Sequence, residues 1–183
     1  MRKKAYRALF VGRFQPFHLG HLHAVKHILK KADELVILVG SAQYSHTLEN
    51  PFTAGERVTV VRLALNEAKI DPASYYIIPV PDVNVHKVWV AHVSSYTPSF
   101  NLVFTNEPLT SRLFKEAGFR VEGIPFFDRD VYSATEIRRR ILANENWMQL
   151  VPESVAKFIM KIHGPDRIME LNQTDNPNAV KKA

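Results

Sequence analysis

A chain of 183 residues that is 46% apolar buries a substantial core as one domain, and its lack of cysteine excludes disulfides and thiolate metal sites. No apolar run reaches the roughly 18 residues of a membrane span, and MRKKAYR leads into a segment too short for a secretion signal, so a cytoplasmic protein is expected. The formal charge of +6 would suit nucleic acid, an anionic membrane surface or a phosphorylated small molecule, and only its clustering separates these.

Residues 7–11, RALFV, read as a short buried strand. GRFQPFHLGH follows over 12–21: Gly12 opens a turn, and Pro16 keeps Gln15 out of the helical region, so the next helix starts no earlier than Phe17. That helix, over 19–31, carries Leu22, Val25, Ile28 and Leu29 on one face. A strand over 34–39 precedes a helix over 53–69 that opens with Thr53 and Glu56 in capping-box spacing. A strand over 75–80, a weaker helix over 86–96 and a strand over 101–105 come next. A helix over 108–117, with proline at its start and Gly118 at its stop, leads to a last strand over 119–124.

Strands separated by crossover helices pair in parallel and bury both faces. The expected fold is therefore α/β: a doubly wound, Rossmann-like, five-stranded parallel sheet with helices on both faces, binding ligand at the carboxyl ends of its strands. Helices over 133–144 and 152–163 add a small C-terminal helical appendage; the first has capping-box spacing in Ser133 and Glu136, and Gly164 stops the second. One domain over 1–168 is expected, with its core in 6–130 and its C-terminal helices in 133–164. From Pro165 the chain is polar without a sustained period, which predicts a partly ordered tail, assigned to 169–183.

The segment behind the first strand carries the chemistry. On a helix, His18 and His21 lie about 60° apart on the stripe of Leu22, Val25 and Leu29. In the first turn that direction opens onto the cleft above the strands. Unpaired N–H groups, Gly20 for close approach and two imidazoles then make an anion site suited to phosphate. His23 and His27 fall about 140° to 180° from His18, so a histidine metal cage is not expected, and no protein metal site is assigned. Neither GxGxxG nor the lysine-bearing P-loop is present.

YSATEIRRRI, over 132–141, repeats the pattern at another helix start. Ser133 caps it, the N–H groups near Thr135 and Glu136 point outward, and Arg138 lies nearest the buried side defined by Ile137, Ile141 and Leu142. Arg139 and Arg140 suit a solvated basic face.

Three stretches, GRFQPFHLGH, SAQYSHTLENPFTAGER over 41–57 and YSATEIRRRI, resemble the motifs of the HxGH nucleotidyltransferase superfamily, specifically the archaeal-type nicotinamide-nucleotide adenylyltransferases. The resemblance runs from Ala8 to about Ile168. It implies condensation of ATP with nicotinamide mononucleotide (NMN) to give NAD and pyrophosphate, by in-line attack of the NMN phosphate on the α-phosphate. It also implies His18, His21 and Arg138 as catalytic residues, and Gly12, Arg13, Phe14, Gly20, Ser133 and Thr135, with Arg138, as ATP ligands. Ser41, Asp82 and Trp89 fall on the NMN side, Trp89 where an aromatic stacks on the pyridinium ring; it could equally be part of a packed helix face. Magnesium or another divalent cation would be held mainly by the ATP phosphates, and a homo-oligomer, often a hexamer, is implied.

Glu107 stands where relatives often carry asparagine, Glu49 where some are basic and Ala134 where glycine is usual. With Glu49 unable to bind phosphate, Arg57 remains as the basic residue of its motif, and is equally open to an ion pair with an acid on its own helix. HxGH reads only the ATP side, so flavin mononucleotide or another phosphorylated acceptor is the competing reading. A non-catalytic nucleotide-binding or nucleic-acid-binding module would need a basic stripe with aromatic platforms, and the dense cluster is confined to Arg138, Arg139 and Arg140. Neither a nucleic-acid nor a membrane partner is expected.

Overall fold

The computed structural model describes residues 5–125, 127–128 and 131–174. Its elements in chain order are β1 (Arg7–Gly12), α1 (Leu19–Ile28), β2 (Glu34–Val39), α2 (Ala54–Glu67), β3 (Tyr75–Pro79), α3 (Trp89–Tyr96), β4 (Leu102–Phe104), α4 (Pro108–Glu116), β5 (Arg120–Glu122), α5 (Ala134–Leu142), α6 (Glu153–Lys161) and α7 (Gly164–Thr174). The five strands form one sheet in the order β3-β2-β1-β4-β5, every pair parallel. This is the doubly wound α/β fold expected from the alternation of apolar runs.

Strand pleating sorts the core into two layers. Ala8 and Phe10 of β1 and Leu35, Ile37 and Val39 of β2 pack with α1, α2 and the appendage. Leu9, Val36, Leu38 and Val103 pack with Val90 and Val93 of α3 and Phe114 of α4. The chain leaves β1 toward the first layer and β4 toward the second, although the two strands are neighbours. A crevice is therefore left above their carboxyl ends, as the topology requires.

Local signals account for the helix starts. Thr53 and Glu56 form the full capping box at α2, each side chain accepting from the other's N–H. Ser133 accepts from the Glu136 N–H at α5, but Glu136 turns to Arg139 and Arg140 instead of reciprocating. The weak helix over 86–96 begins as a 3₁₀ turn, His86–Val88, and neither that turn nor α3 has a side-chain cap.

The C-terminal end departs from the sequence reading. Where a polar tail is predicted from Pro165, the chain folds into α7; residues 175–183 of that tail lie outside the described residues. Helical periodicity is short there, and tertiary anchoring supplies the order. Ile168 is fully buried in the first core layer, and Arg167 donates to both oxygens of Glu56 (2.8 and 2.9 Å) and to the Pro51 carbonyl (3.1 Å). Gly164 does mark the break between α6 and α7, but as a contact point: a Cβ there would lie 2.8 Å from Ile159 Cγ2 and 3.0 Å from the Ile159 carbonyl. The left-handed backbone is taken by His163, at φ 54°.

If Ile168 holds α7 in place, Ile168→Ala lowers global stability by about 2 to 5 kcal/mol, as for other buried aliphatic truncations. Thermal or denaturant unfolding measures it, and a change below about 1 kcal/mol would return α7 to the status of a tail.

Candidate active site

The crevice is one cleft with two lobes. A lobe of about 460 Å³ lies between the starts of α1 and α5, bounded by Phe14, His18, Gly20, His21, Tyr132 and Ser133. A second, of about 350 Å³, lies over the ends of β2 and β3, bounded by Gly12, Gly40, Ser41, Asp82, His86 and Trp89. Val11, Arg13, Thr105 and Glu107 line both and form the passage between them.

His18 is the N-cap of α1, with extended backbone (φ −135°, ψ 175°). Its Nδ1 accepts from the His21 N–H, while His21 Nδ1 accepts from the His18 N–H, both at 3.3 Å. This is a capping box built from two imidazoles instead of a hydroxyl and a carboxylate. The rings stack 3.6 Å apart at 27°. Because each Nδ1 accepts a backbone proton, the proton of each neutral ring sits on Nε2. Burial pushes the His18 pKa down to about 3. His21 is pushed well below its ordinary value, by burial first and by the adjacent His18 second. The pair therefore enters the lobe as two neutral Nε2–H donors.

Their position depends on what lies behind them. Phe14, left-handed at φ 53° and buried, sets its ring 4.8 Å from that of His21 and 5.6 Å from that of Phe10. A Cβ on Gly12 would lie 2.7 Å from the Phe14 ring, and one on Gly20 would meet His18 Nδ1 at 3.0 Å. Glycine at position 12 thus lets the Phe14 ring close beneath the histidines, and at position 20 a side chain would press on His18. Gln15, 2% exposed, pins this loop by donating to the Phe52 carbonyl (3.0 Å) and accepting from the Phe52 N–H (2.9 Å). The Gln15–Pro16 peptide is cis.

The sequence-predicted residues divide as follows. His18, Gly20, His21, Phe14 and Ser133 come together in the larger lobe, Arg13 stands in the passage, and Gly12, assigned to ATP, lines the smaller lobe. Thr135 and Arg138 border neither lobe directly. Arg138 donates to the Gln15 carbonyl at 2.9 Å and approaches the Thr135 hydroxyl at 3.5 Å, so its guanidinium is bound to the loop that carries His18. Burial, and then Arg13, lower its pKa, which places two guanidinium groups within electrostatic reach at the cleft edge. Arg139 is the exposed ion-pair residue expected, joined to Glu136 and Glu145. Arg140 departs from that reading: it is half-buried, binding Glu136 and the Asn146 carbonyl.

Ser41, Asp82 and Trp89 meet in the smaller lobe as expected. Ser41 is left-handed at φ 52° and donates its N–H to Asp82 Oδ1 at 3.2 Å. Trp89 borders the lobe and packs edge-on against Phe114 at 5.3 Å and 71°, the packed face that the sequence also allows.

Arg57 follows neither sequence reading, since it lines neither lobe. Instead of pairing with an acid on α2, it is fully buried and donates only to carbonyls: Arg13 (3.0 Å), Gly40 (2.7 Å), Ser41 (3.0 Å) and Thr53 (3.3 Å). It ties the loop after β1 to the end of β2 beneath the passage. Burial lowers its pKa to about 10, opposed by Asp82, so it stays charged at neutral pH. Asn106 does the same for the far wall, donating to and accepting from Ile124 at 2.8 Å each. His23, Phe127 and Tyr132 stack in series at the rim (4.4 and 5.1 Å). Among the described residues no group of three or more histidine or acidic side chains is placed to hold a metal ion, and no helix is long and apolar enough to cross a membrane.

Comparison with known proteins gives this arrangement relatives. The cytidylyltransferase-like family model matches residues 9–140. The nicotinamide-nucleotide adenylyltransferase of Saccharolobus solfataricus is 52% identical over 169 residues, covering 92% of this chain and 98% of that protein. That of Archaeoglobus fulgidus is 52% identical over 172 residues, covering 92% and 99%, and that of Pyrococcus horikoshii 50% over 165 residues, covering 90% and 88%. A bifunctional NMN adenylyltransferase/ADP ribose pyrophosphatase from Francisella tularensis superposes with a TM-score of 0.76 at 22% identity; 92% of this chain aligns with 54% of that one, and the likeness is one of fold.

Two outcomes are expected. Histidines kept neutral in the fold but free to protonate when unfolded make the unfolded state the better proton acceptor below pH 6.5, so stability is flat above that value and falls on acidification toward the depressed native pKa. The slope is about 1.4 kcal/mol per pH unit for each imidazole. Melting curves at pH 7.5 and 5.5 would show it, and His18→Gln should flatten the dependence. Arg57→Met leaves four carbonyls without their charged donor and costs at least about 3 kcal/mol in the same assay; a smaller loss would mean that the loops do not depend on the clamp.

Proposed function

The chain belongs to the nicotinamide-nucleotide adenylyltransferases of the cytidylyltransferase-like family, and we propose that it joins ATP and NMN across this two-lobed cleft. ATP takes the larger lobe and NMN the smaller. An oxygen of the NMN phosphate, already ionised at neutral pH, forms the new bond to the α-phosphorus as the bond to the bridging oxygen breaks and pyrophosphate leaves. No general base is needed, so the protein's work is alignment and stabilisation of charge.

The observation that carries this reading is the reciprocal cap of His18 and His21, which aims two neutral Nε2–H donors into one lobe. Preset donors of this kind act where charge grows on the phosphate oxygens. Arg13, in the passage between the lobes, is placed to meet the phosphates of both substrates. Arg138 supports the His18 loop from outside and contributes positive potential at its edge. Gly20 brings a backbone N–H, and Ser133 its hydroxyl, toward the triphosphate from two helix starts. In the smaller lobe Trp89 offers its indole face to the pyridinium, and Ser41 with Asp82 offers hydrogen bonds to ribose or amide.

The larger lobe is lined by imidazole, guanidinium, hydroxyl and amide groups with the single carboxylate of Glu107, which suits a divalent cation carried by ATP phosphates and water better than one caged by carboxylates. Bound there, such a cation, magnesium by expectation, would neutralise part of the triphosphate charge. We further propose a cytoplasmic homo-oligomer in which the sheet and its helices through α7 are one catalytic domain.

The decisive assay follows pyrophosphate release from ATP and a divalent cation with each candidate acceptor. NMN should support release and yield NAD, while flavin mononucleotide should not; the reverse result removes the assignment. His21→Ala should lower kcat by roughly 10² to 10⁴ with only a modest loss of ATP affinity, as when a donor acting chiefly in the transition state is removed. Unchanged turnover would deny the residue its role.

A further inference from the structure

We infer that Arg167, on the C-terminal helix, is a positioning residue for the transfer: it holds Pro51 and Phe52, these hold Gln15, and Gln15 sets the loop that carries His18 and His21. The inference rests on the reading above in taking those two histidines as the groups that act on the phosphates. Arg167 donates to both oxygens of Glu56 (2.8 and 2.9 Å) and, from the same fork, to the Pro51 carbonyl (3.1 Å). Its guanidinium carbon stands 6.0 Å from the centre of the Phe52 ring, and a Cβ on Gly164, the first residue of α7, would lie 3.0 Å from that ring. Helix α7 therefore grips residues 51–52 by backbone and by side chain.

On its other side the same segment is committed to the loop behind β1. The Gln15 amide uses both backbone groups of Phe52, its oxygen accepting from the N–H (2.9 Å) and its nitrogen donating to the carbonyl (3.0 Å). Phe52 and Gln15 are 3% and 2% exposed, so a broken bond here is not replaced by one to water. Between Gln15 and His18 lie only Pro16 and Phe17, and Phe17 is fully buried. A close-packed interior relays a displacement instead of absorbing it. A shifted seat for Phe52 thus reaches the reciprocal cap of His18 and His21.

Arg167, Pro51 and Phe52 border neither lobe. Two physical routes lead from α7 to the histidines: the Gln15 amide, and Ile168, which shares a core layer with Ile137 and Ile141 of the helix that carries Arg138. Arg167 serves the first. It is bonded directly to the segment that the Gln15 amide holds, and such bonds fix direction as well as distance. The apolar contacts of Ile168 need no guanidinium. Because in-line transfer tolerates little misplacement, a residue outside the cleft sets turnover without touching substrate.

The test is a double-mutant cycle on turnover between two side chains not bonded to each other, Arg167→Gln and Gln15→Met, the second of which keeps the carbonyl that Arg138 holds. With ATP and NMN saturating, each single change should lower kcat roughly tenfold while the KM for ATP moves less than about threefold, and the double variant should be no slower than the slower single one. Losses that multiply, or a wild-type kcat in folded Arg167→Gln, overturn the inference, since α7 then acts through Ile168 or not at all. Nitrogen NMR of the imidazoles at pH 7.5 gives a readout free of activity. Both rings carry their proton on Nε2 in the wild type, and Arg167→Gln should mix the tautomers. A residue that merely fastens α7 would leave them fixed, and fixed tautomers overturn the positioning role. If Arg167→Gln does not fold, Arg167→Lys, which keeps the charge beside Glu56 without the fork, enters the same comparisons. Failure of the wild type to make NAD from NMN overturns instead the adenylyltransferase reading, and the tautomer signals then decide the positioning role alone.

Discussion

The hydrogen-bond exchange between His18 and His21 is the constraint from which the rest of the cleft follows. A carboxylate cap would satisfy the first N–H groups of α1 but has no proton to offer a ligand. Two imidazoles do otherwise, since one nitrogen of each serves the backbone and the other keeps its proton for a ligand. The same bonds fix the tautomer, and burial keeps both rings neutral. The packing beneath is the consequence: Phe14 supports His21, a Cβ at position 12 would collide with the Phe14 ring, and one at position 20 would crowd His18.

A second constraint holds the two lobes in register. In-line transfer between two bound nucleotides demands that the loops after β1 and β2 keep a fixed separation, and a misplacement of an ångström is costly. Loops of this kind have no ladder of their own. Arg57 supplies the missing connection by donating to the carbonyls of Arg13, Gly40 and Ser41 at once. A lysine could not span that set, because the guanidinium fork reaches several acceptors in one plane. Burying such a group without a carboxylate partner is unfavourable in isolation, and its four hydrogen bonds to carbonyls offset the cost.

Charge is distributed unevenly over the cleft, and the unevenness has chemical meaning. The edge of the larger lobe gathers Arg13 and Arg138, the smaller lobe carries Asp82, and Arg13 and Glu107 are shared at the passage. Charges of both signs therefore meet along one cleft of a basic protein, and net charge alone does not describe it.

Much was legible from residues near one another in the chain. Apolar runs alternating with helical period determine a doubly wound parallel sheet, because parallel strands must be joined by crossovers and buried on both faces. The histidines' place at a helix start follows from Pro16, and the capping of α2 and α5 from Thr53 and Ser133, since each is set within a few residues. Long-range contact decided the remainder. Nothing local marks Arg57 as a clamp, or Arg138 as a support for Gln15, whose partner lies 123 positions away. Order in α7 likewise depends on Ile168 and Arg167 meeting a core and a carboxylate that sequence neighbours cannot supply. Periodicity and caps are properties of consecutive residues, so the chain states them directly; which carbonyl a buried guanidinium finds is settled only when distant segments are packed together.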